Sequence, residues 1–201
     1  MILRLLMDNP VILGLFIMLL MWSDYLLTLL QEKERKEHYY KHYQSYPVNT
    51  IEGNPAFIEA VSKLKIFNPK HFIATLIIGA AVPIALFYIP EIYREIFLGY
   101  VLSIFFIVNA QHLNNLIGYR VSRRGLHGKL FLHQRTSALI QASRYLSITI
   151  LLLFLSIISG SQIIYGATIA GLTSALRLYL LSKKVAPIGK EDLSPEDISK
   201  G

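Results

Sequence analysis

The side chains able to do chemistry concentrate in "IVNAQHLNNLIGYR", Ile107 to Arg120, where Asn109, Gln111, His112, Asn114 and Asn115 stand at the end of a long apolar run. Unpaired polar groups are penalised in such a place, because hydrocarbon offers them no hydrogen bonds. At about 100° per residue, Gln111, Asn115, Tyr119, His112 and Asn109 fall within an arc of roughly 160°, with Ala110, Leu113 and Ile117 on the other side. A helix end fraying into water needs no such segregation, so this face is expected to meet other polar groups. Candidates stand in three other apolar runs: Asp24, Arg144 and Arg177. Counted from the ends of their runs, these and His112 lie about four to six residues deep, or roughly 6 to 9 Å at helical rise. An ionised Asp costs about 2.5 to 3.5 kcal/mol at the centre of a membrane helix and less toward its ends. Asp24 therefore needs a partner, expected to be Arg144 or Arg177, with His112 or Asn109 as hydrogen-bonding neighbours. Histidine and carboxylate together could exchange protons or hold a polar solute, with Asn109, Gln111 and Asn115 hydrating it. The alternative is that both arginines reach out to lipid headgroups and the layer only packs.

The elements that must position these groups follow from the apolar runs. About 53% of the 201 residues are hydrophobic, and five runs approach the roughly 20 residues needed to cross a bilayer. The expected fold is an all-α polytopic membrane bundle with spans at about 11–30, 72–89, 96–118, 139–158 and 163–181. They form one domain, 1–184, followed by a polar tail, 185–201. The first run lacks a small-residue cleavage site and reads as an uncleaved span. Asn9-Pro10, Asn54-Pro55 and Asn68-Pro69 each offer a capping side chain followed by a residue with no N–H to satisfy, which marks helix starts. "QEKERKEHYYKHYQ" extends the first span into water, and 55–66 reads as an amphipathic interfacial helix with Phe57, Val61 and Leu64 on one face. Pro83 is expected to kink the second span. In the fifth, Gly166, Ala167, Ala170, Gly171 and Ser174 form overlapping small-xxx-small pairs, suited to packing within the chain or to a homodimer seam.

The net charge of +7 is read from its distribution. Lys33, Arg35, Lys36, Lys41, Lys63, Lys65 and Lys70 fall between spans one and two, and Arg120, Arg123, Arg124, Lys129 and Arg135 between spans three and four. The other connections carry Arg94 or nothing basic. By the positive-inside rule the N-terminus faces out, both basic loops and the C-terminus face the cytoplasm, and the plasma membrane is the expected location. Basic excess is then a topology signal, and no nucleic-acid module accompanies it. Arg120, Arg123, Arg124 and Lys129 suit anionic lipid headgroups at the inner leaflet.

Several chemistries lack their residues. The chain has no cysteine, which excludes disulfides, thiolate metal sites and cysteine nucleophiles. Glu34, His38 and His42 are spaced for one helix face but bring no catalytic glutamate, so no metal is assigned. "SGSQ" is no serine-protease motif, Asp24 has no second intramembrane aspartate, and His112 is the only deep histidine, which argues against protease and haem sites. No phosphate loop is present and no cofactor is expected. A lipid-headgroup enzyme built from Glu52, His112 and the arginines of "YRVSRRG" is the remaining enzymatic alternative.

"SDYLLT", with Asp24 and Thr28 one turn apart, followed by "EGNP", with Glu52, Asn54 and Pro55, resembles a pattern in small polytopic membrane families of unknown function. The resemblance covers the first third of the chain. It implies that Thr28 joins the polar cluster and that Glu52 and Asn54 are further candidates. The functional expectation is a small transporter-like or channel-like protein or its accessory subunit, with a homodimer through the fifth span. The rival is a structural or assembly protein whose polar layer locks helix packing.

Overall fold

The structure is a computed structural model, and it describes residues 2–39, 43–46, 50–52, 54–122 and 130–185. The chain is all-α in its frame. A short helix, α1 (Ile2–Asp8), precedes α2 (Pro10–Glu34), which ends in a π-helical turn at Arg35–Tyr39. A brief strand, β1 (Tyr43–Tyr46), and a five-residue helix, α3 (Ile58–Ser62), lead to α4 (Pro69–Tyr88) and α5 (Glu91–Ser122). Strand β2 (Leu130–His133) runs directly into α6 (Gln134–Ser159), and α7 (Gln162–Lys184) follows. Five helices, based on α2, α4, α5, α6 and α7, are long and apolar enough to cross a membrane.

Two of the Asn-Pro pairs start spans as their chemistry requires. Asn9 Oδ1 accepts from Ile12 N at 3.1 Å and Asn68 Oδ1 from Lys70 N at 3.0 Å, with Pro10 and Pro69 in first-turn positions. The third pair makes a local turn: Asn54 Oδ1 accepts from Ala56 N at 3.1 Å, one turn before α3 begins. That helix is far shorter than the 55–66 expected. It stops because Leu64 takes a left-handed conformation, φ 52°. Lys65 N then bonds Ala60 O and Leu64 N bonds Val61 O, both at 2.9 Å, closing the last turn. This closure normally falls to glycine, since a β-carbon there costs about 1–2 kcal/mol. The helix also packs inward: Val61 is fully buried against Tyr25 and Leu29 of α2. Tyr25 OH holds the exit by donating to Lys65 O at 2.7 Å.

The long helices pack in the order α4, α2, α5, α7, α6. Close approaches at small residues set this row. Pro83 cannot donate, which frees the carbonyl of Gly79 one turn earlier. That oxygen lies over Gly14 of α2, where an added β-carbon would sit only 2.7 Å from it. α4 runs unbroken through Pro83 and sets this carbonyl against the α2 backbone, where glycine leaves room for it. A β-carbon on Gly166 would strike the Ile96 carbonyl of α5, and one on Gly171 would lie 2.5 Å from Thr149 Oγ1 of α6. Ala170 and Ala175 are buried beside them. Gly166 and Gly171 of the small-residue stripe are therefore used within the chain, against α5 and α6. The main core lies between α2, α4 and α5, around Leu13, Ile17, Val82, Leu86, Leu98 and Leu102. Outward-facing side chains such as Leu15, Leu19, Ile77, Leu151 and Phe154 are exposed and apolar, a surface made for acyl chains.

One element was not expected. β1 and β2 pair in parallel, Tyr43 opposite Leu130 through Tyr46 opposite His133. Because β1 follows α2 and β2 precedes α6, this pairing gathers both basic connections at one end of the bundle.

Candidate functional site

Helix α5 is the axis of the site, since its polar arc divides between two neighbours. Toward α2 it presents His112 and Asn109. His112 Nδ1 lies 2.6 Å from Gln31 Nε2, which also donates to Leu27 O at 3.2 Å. The amide nitrogen can only donate, so Nδ1 accepts and the neutral ring carries its proton on Nε2. That proton points at Thr28 Oγ1, 3.4 Å away, whose own hydrogen goes to the Asp24 carbonyl at 2.9 Å. Beside it, Asp24 Oδ1 stands 3.1 Å from Nε2. This carboxylate oxygen is buried and has no hydrogen-bond partner, so the Nε2–H lies close to it without being aligned on it. The two side chains keep partial access: Asp24 is 35% exposed and His112 22%.

One turn away, Asn109 Nδ2 donates to Leu20 O of α2 at 3.1 Å and to Phe105 O of its own helix at 2.9 Å. Its Oδ1 is left buried without a partner. Asp24 Oδ1 and Asn109 Oδ1 are thus two acceptors with unused capacity in one layer, and hydrogen-bond donors or a proton are what such oxygens attract.

The other edge of the arc faces α6. Gln111 Nε2 donates to Gln141 Oε1 at 2.7 Å, and Tyr145 OH donates to Gln111 Oε1. The two clusters adjoin through α5, on which Gln111 and His112 are consecutive residues.

Of the residues expected to meet, Asp24, Thr28, Asn109 and His112 come together, and Gln111 lies in the adjoining cluster. Asn115 is half-buried and makes no hydrogen bond among the described residues. The arginine partner proposed for Asp24 is corrected: Arg144 and Arg177 are both exposed and form no ion pair among the described residues, and His112 occupies their place. Depth along a helix fixes a level and says nothing of azimuth. Arg144 is about 140° around α6 from the buried Thr149. Glu52 and Asn54 stand apart in their own turn, with Glu52 Oε1 accepting from Asn54 N at 2.6 Å. Arg120 is exposed near the end of α5, while Arg123, Arg124 and Lys129 lie outside the described residues.

Gln31, Gln141 and Tyr145 were missed. Gln31 is two turns from Asp24 on the same face, a spacing that was readable, but it follows the last apolar residue of its run and was assigned to the extension beyond the membrane. The extension has its own anchor. Glu32, fully buried, takes a two-pronged contact from Arg35 at 2.8 and 3.0 Å and a bond from Ile51 N at 3.2 Å. Among the described residues no group of three or more His, Asp or Glu is placed to hold a metal ion. His38 is exposed, and His42 lies outside the described residues. An apolar groove of about 470 Å³ lies at the far end of α5, lined by Ile89, Pro90, Tyr93, Ile96, Phe97, Tyr100 and Ile169.

The described chain is thus a multi-pass membrane protein with a buried polar His–Gln cluster between its helices. No family model matches it, and neither a curated protein nor a solved structure matches it.

Proposed function

We propose that this is a small transporter-like membrane protein, or the accessory subunit of one, whose Asp24–His112 pair binds and releases a proton. The observation that carries this reading is the 3.1 Å contact between Asp24 Oδ1 and His112 Nε2, made between two different spans and partly accessible. A carboxylate and an imidazole in contact can pass a proton between them, because each has an atom able to hold it. Charge asymmetry supports an orientation with the N-terminus outside, both basic connections and the C-terminus in the cytoplasm, and a place in the plasma membrane. Arg120 is then positioned for an anionic headgroup of the inner leaflet.

A second reading is favoured by a different observation. Asn109 to Leu20 and Gln111 to Gln141 and Tyr145 are bonds between helices that use up their donors. In this reading the polar layer only locks the helices together. Proton flux into proteoliposomes, followed with an internal pH dye, separates the two. Asp24→Asn and His112→Ala that stay folded but abolish flux support the proton-exchanging pair. Variants that lower only the unfolding temperature support the lock.

A further inference from the structure

Two oxygens of the polar layer are buried and accept no hydrogen bond among the described residues: Asp24 Oδ1 and Asn109 Oδ1. The Asn109 amide cannot turn over to relieve its own. Its Nδ2 donates to Leu20 O at 3.1 Å and to Phe105 O at 2.9 Å, and an oxygen in that place would face two carbonyl oxygens. The open acceptor is therefore built in. Its position relative to Asp24 follows from the contacts between α2 and α5. Asn109 meets α2 at Leu20, whereas His112 meets it at Asp24 (3.1 Å), Thr28 (3.4 Å) and Gln31 (2.6 Å). Along α2 the imidazole thus takes the Thr28 and Gln31 side of Asp24. Asn109 flanks the carboxylate on the other side, about one helical turn, or roughly 6 Å, away along the axis.

A carboxylate oxygen and an amide oxygen left open across one helix contact supply negative potential and lone pairs. Oxygens of this kind are the ligands of hard cations; calcium, for instance, binds carboxylates, amide carbonyls and water at about 2.3–2.6 Å. Two such bonds reach across about 5 Å, the scale of one helical turn. Charge then decides valence. One carboxylate and one monovalent cation are neutral together, whereas a divalent ion would leave a net positive charge between the spans, where unpaired charge is costly. Asp24 keeps partial access, so water can complete the shell. We propose that Asp24 Oδ1 and Asn109 Oδ1 form a site for a small monovalent cation, such as sodium, between α2 and α5. The proposal rests on reading Asp24 as an exchanging carboxylate and names a second occupant for it: His112 serves one side with a proton, and the cation takes the Asn109 side. A layer built only to lock helices gains nothing from two buried acceptors left open.

The test uses the full chain in phosphatidylcholine nanodiscs, with empty discs as the blank and sodium chloride as the probe, read by broadening of the sodium NMR line. Saturable broadening above the blank is expected, with affinity at least tenfold weaker in Asp24→Asn. In Asn109→Leu, which keeps the carboxylate, it should be at least threefold weaker. Asn109→Asp adds a second carboxylate, so calcium chloride should displace sodium from it at a concentration at least tenfold lower than from the parent. Broadening no greater than the blank, or indifferent to Asp24→Asn or Asn109→Leu, overturns the site. Calcium displacing sodium equally well from the parent and Asn109→Asp overturns the part given to Asn109. The underlying pair is read separately from the His112 ring signal. A signal that responds to Asp24→Asn with no sodium broadening overturns the cation site alone, and broadening beside an indifferent signal overturns the pair alone.

Discussion

Gln31 Nε2 donates to the Nδ1 of His112 at 2.6 Å, across the contact between α2 and α5. That single bond fixes the tautomer, and through it the side of the ring that faces Asp24. A second proton on His112 would set two donors against each other, so the Gln31 amide would have to turn over and give up its bond to Leu27 O. Gln31 thereby opposes the charged ring while Asp24 favours it. Replacing it with glutamate removes the opposition, because a carboxylate accepts what the amide could only donate. Gln31→Glu should move the ring away from the single Nε2–H form, and Gln31→Leu should leave a mixture of tautomers. Ring-nitrogen chemical shifts distinguish these states from the single Nε2–H form expected of the parent protein.

Asn109 tests the lock. Asn109→Leu removes both of its donated bonds and also the buried, unpartnered Oδ1. Bonds between membrane helices average roughly 0.6 kcal/mol, and deleting an orphaned acceptor returns some of that loss. The net cost should be below about 1 kcal/mol, read as a small fall in unfolding temperature in detergent. A collapse of folding would show that the polar layer is chiefly structural.

The crossing of α2 and α4 depends on two glycines. A methyl at Gly14 would lie 2.7 Å from Gly79 O, and backbone cannot give way as a side-chain tip can. Gly14→Ala should destabilise by about 1–3 kcal/mol, the usual cost of overpacking. Its companion Gly79→Ala should also destabilise, but less, because the methyl meets the side chain of Met18 at Cε (2.5 Å) and Cγ (2.6 Å), which can turn aside, and backbone only at Gly14 O, 3.3 Å away. Reversible unfolding in mixed micelles orders the two.

Arg144 and Arg177 were the sequence's first choice to balance Asp24, and their exposure denies them that part. Arg144→Gln and Arg177→Gln should leave the ring shifts of His112 unchanged and move stability by less than about 0.5 kcal/mol, as at other exposed positions. A shifted His112 spectrum in either variant would restore the arginine to the cluster.

Outside the spans, Lys63 Nζ lies 2.8 Å from Glu59 Oε1 and holds that carboxyl below its ordinary range. A carboxylate lowered in the folded state adds stability above its unfolded pKa and loses it as pH falls through the folded value. Here both side chains are exposed, so water screens the gain. Glu59→Gln should therefore not move the unfolding temperature at pH 7, nor alter its change between pH 5 and pH 3, as measured by thermal scans.

Much of this architecture is visible in composition. Runs such as 72–89 announce themselves because hydrocarbon requires length and apolarity, and Asn9-Pro10 and Asn68-Pro69 mark starts by backbone chemistry alone. Azimuth is harder: Gln111 and His112 are adjacent in sequence, yet one serves α6 and the other α2, since a 160° arc is wide enough for two neighbours. The pairing of "YQSY" with "LFLH" was out of reach, because four-residue strands carry little periodicity and their register depends on contacts distant in sequence. Gln31 was hidden by the convention of ending a span at its last apolar residue, although a side chain there can still reach one turn back into the bundle.

The most direct measurement is the ring-nitrogen spectrum of His112 in lipid, compared between the parent chain and Asp24→Asn as pH is lowered. A proton shared across the 3.1 Å contact makes the ring-nitrogen signal of His112 respond to pH differently in the two proteins. Identical titrations in the two proteins, or a ring that never responds to pH, would mean that Asp24 and His112 do not share a proton.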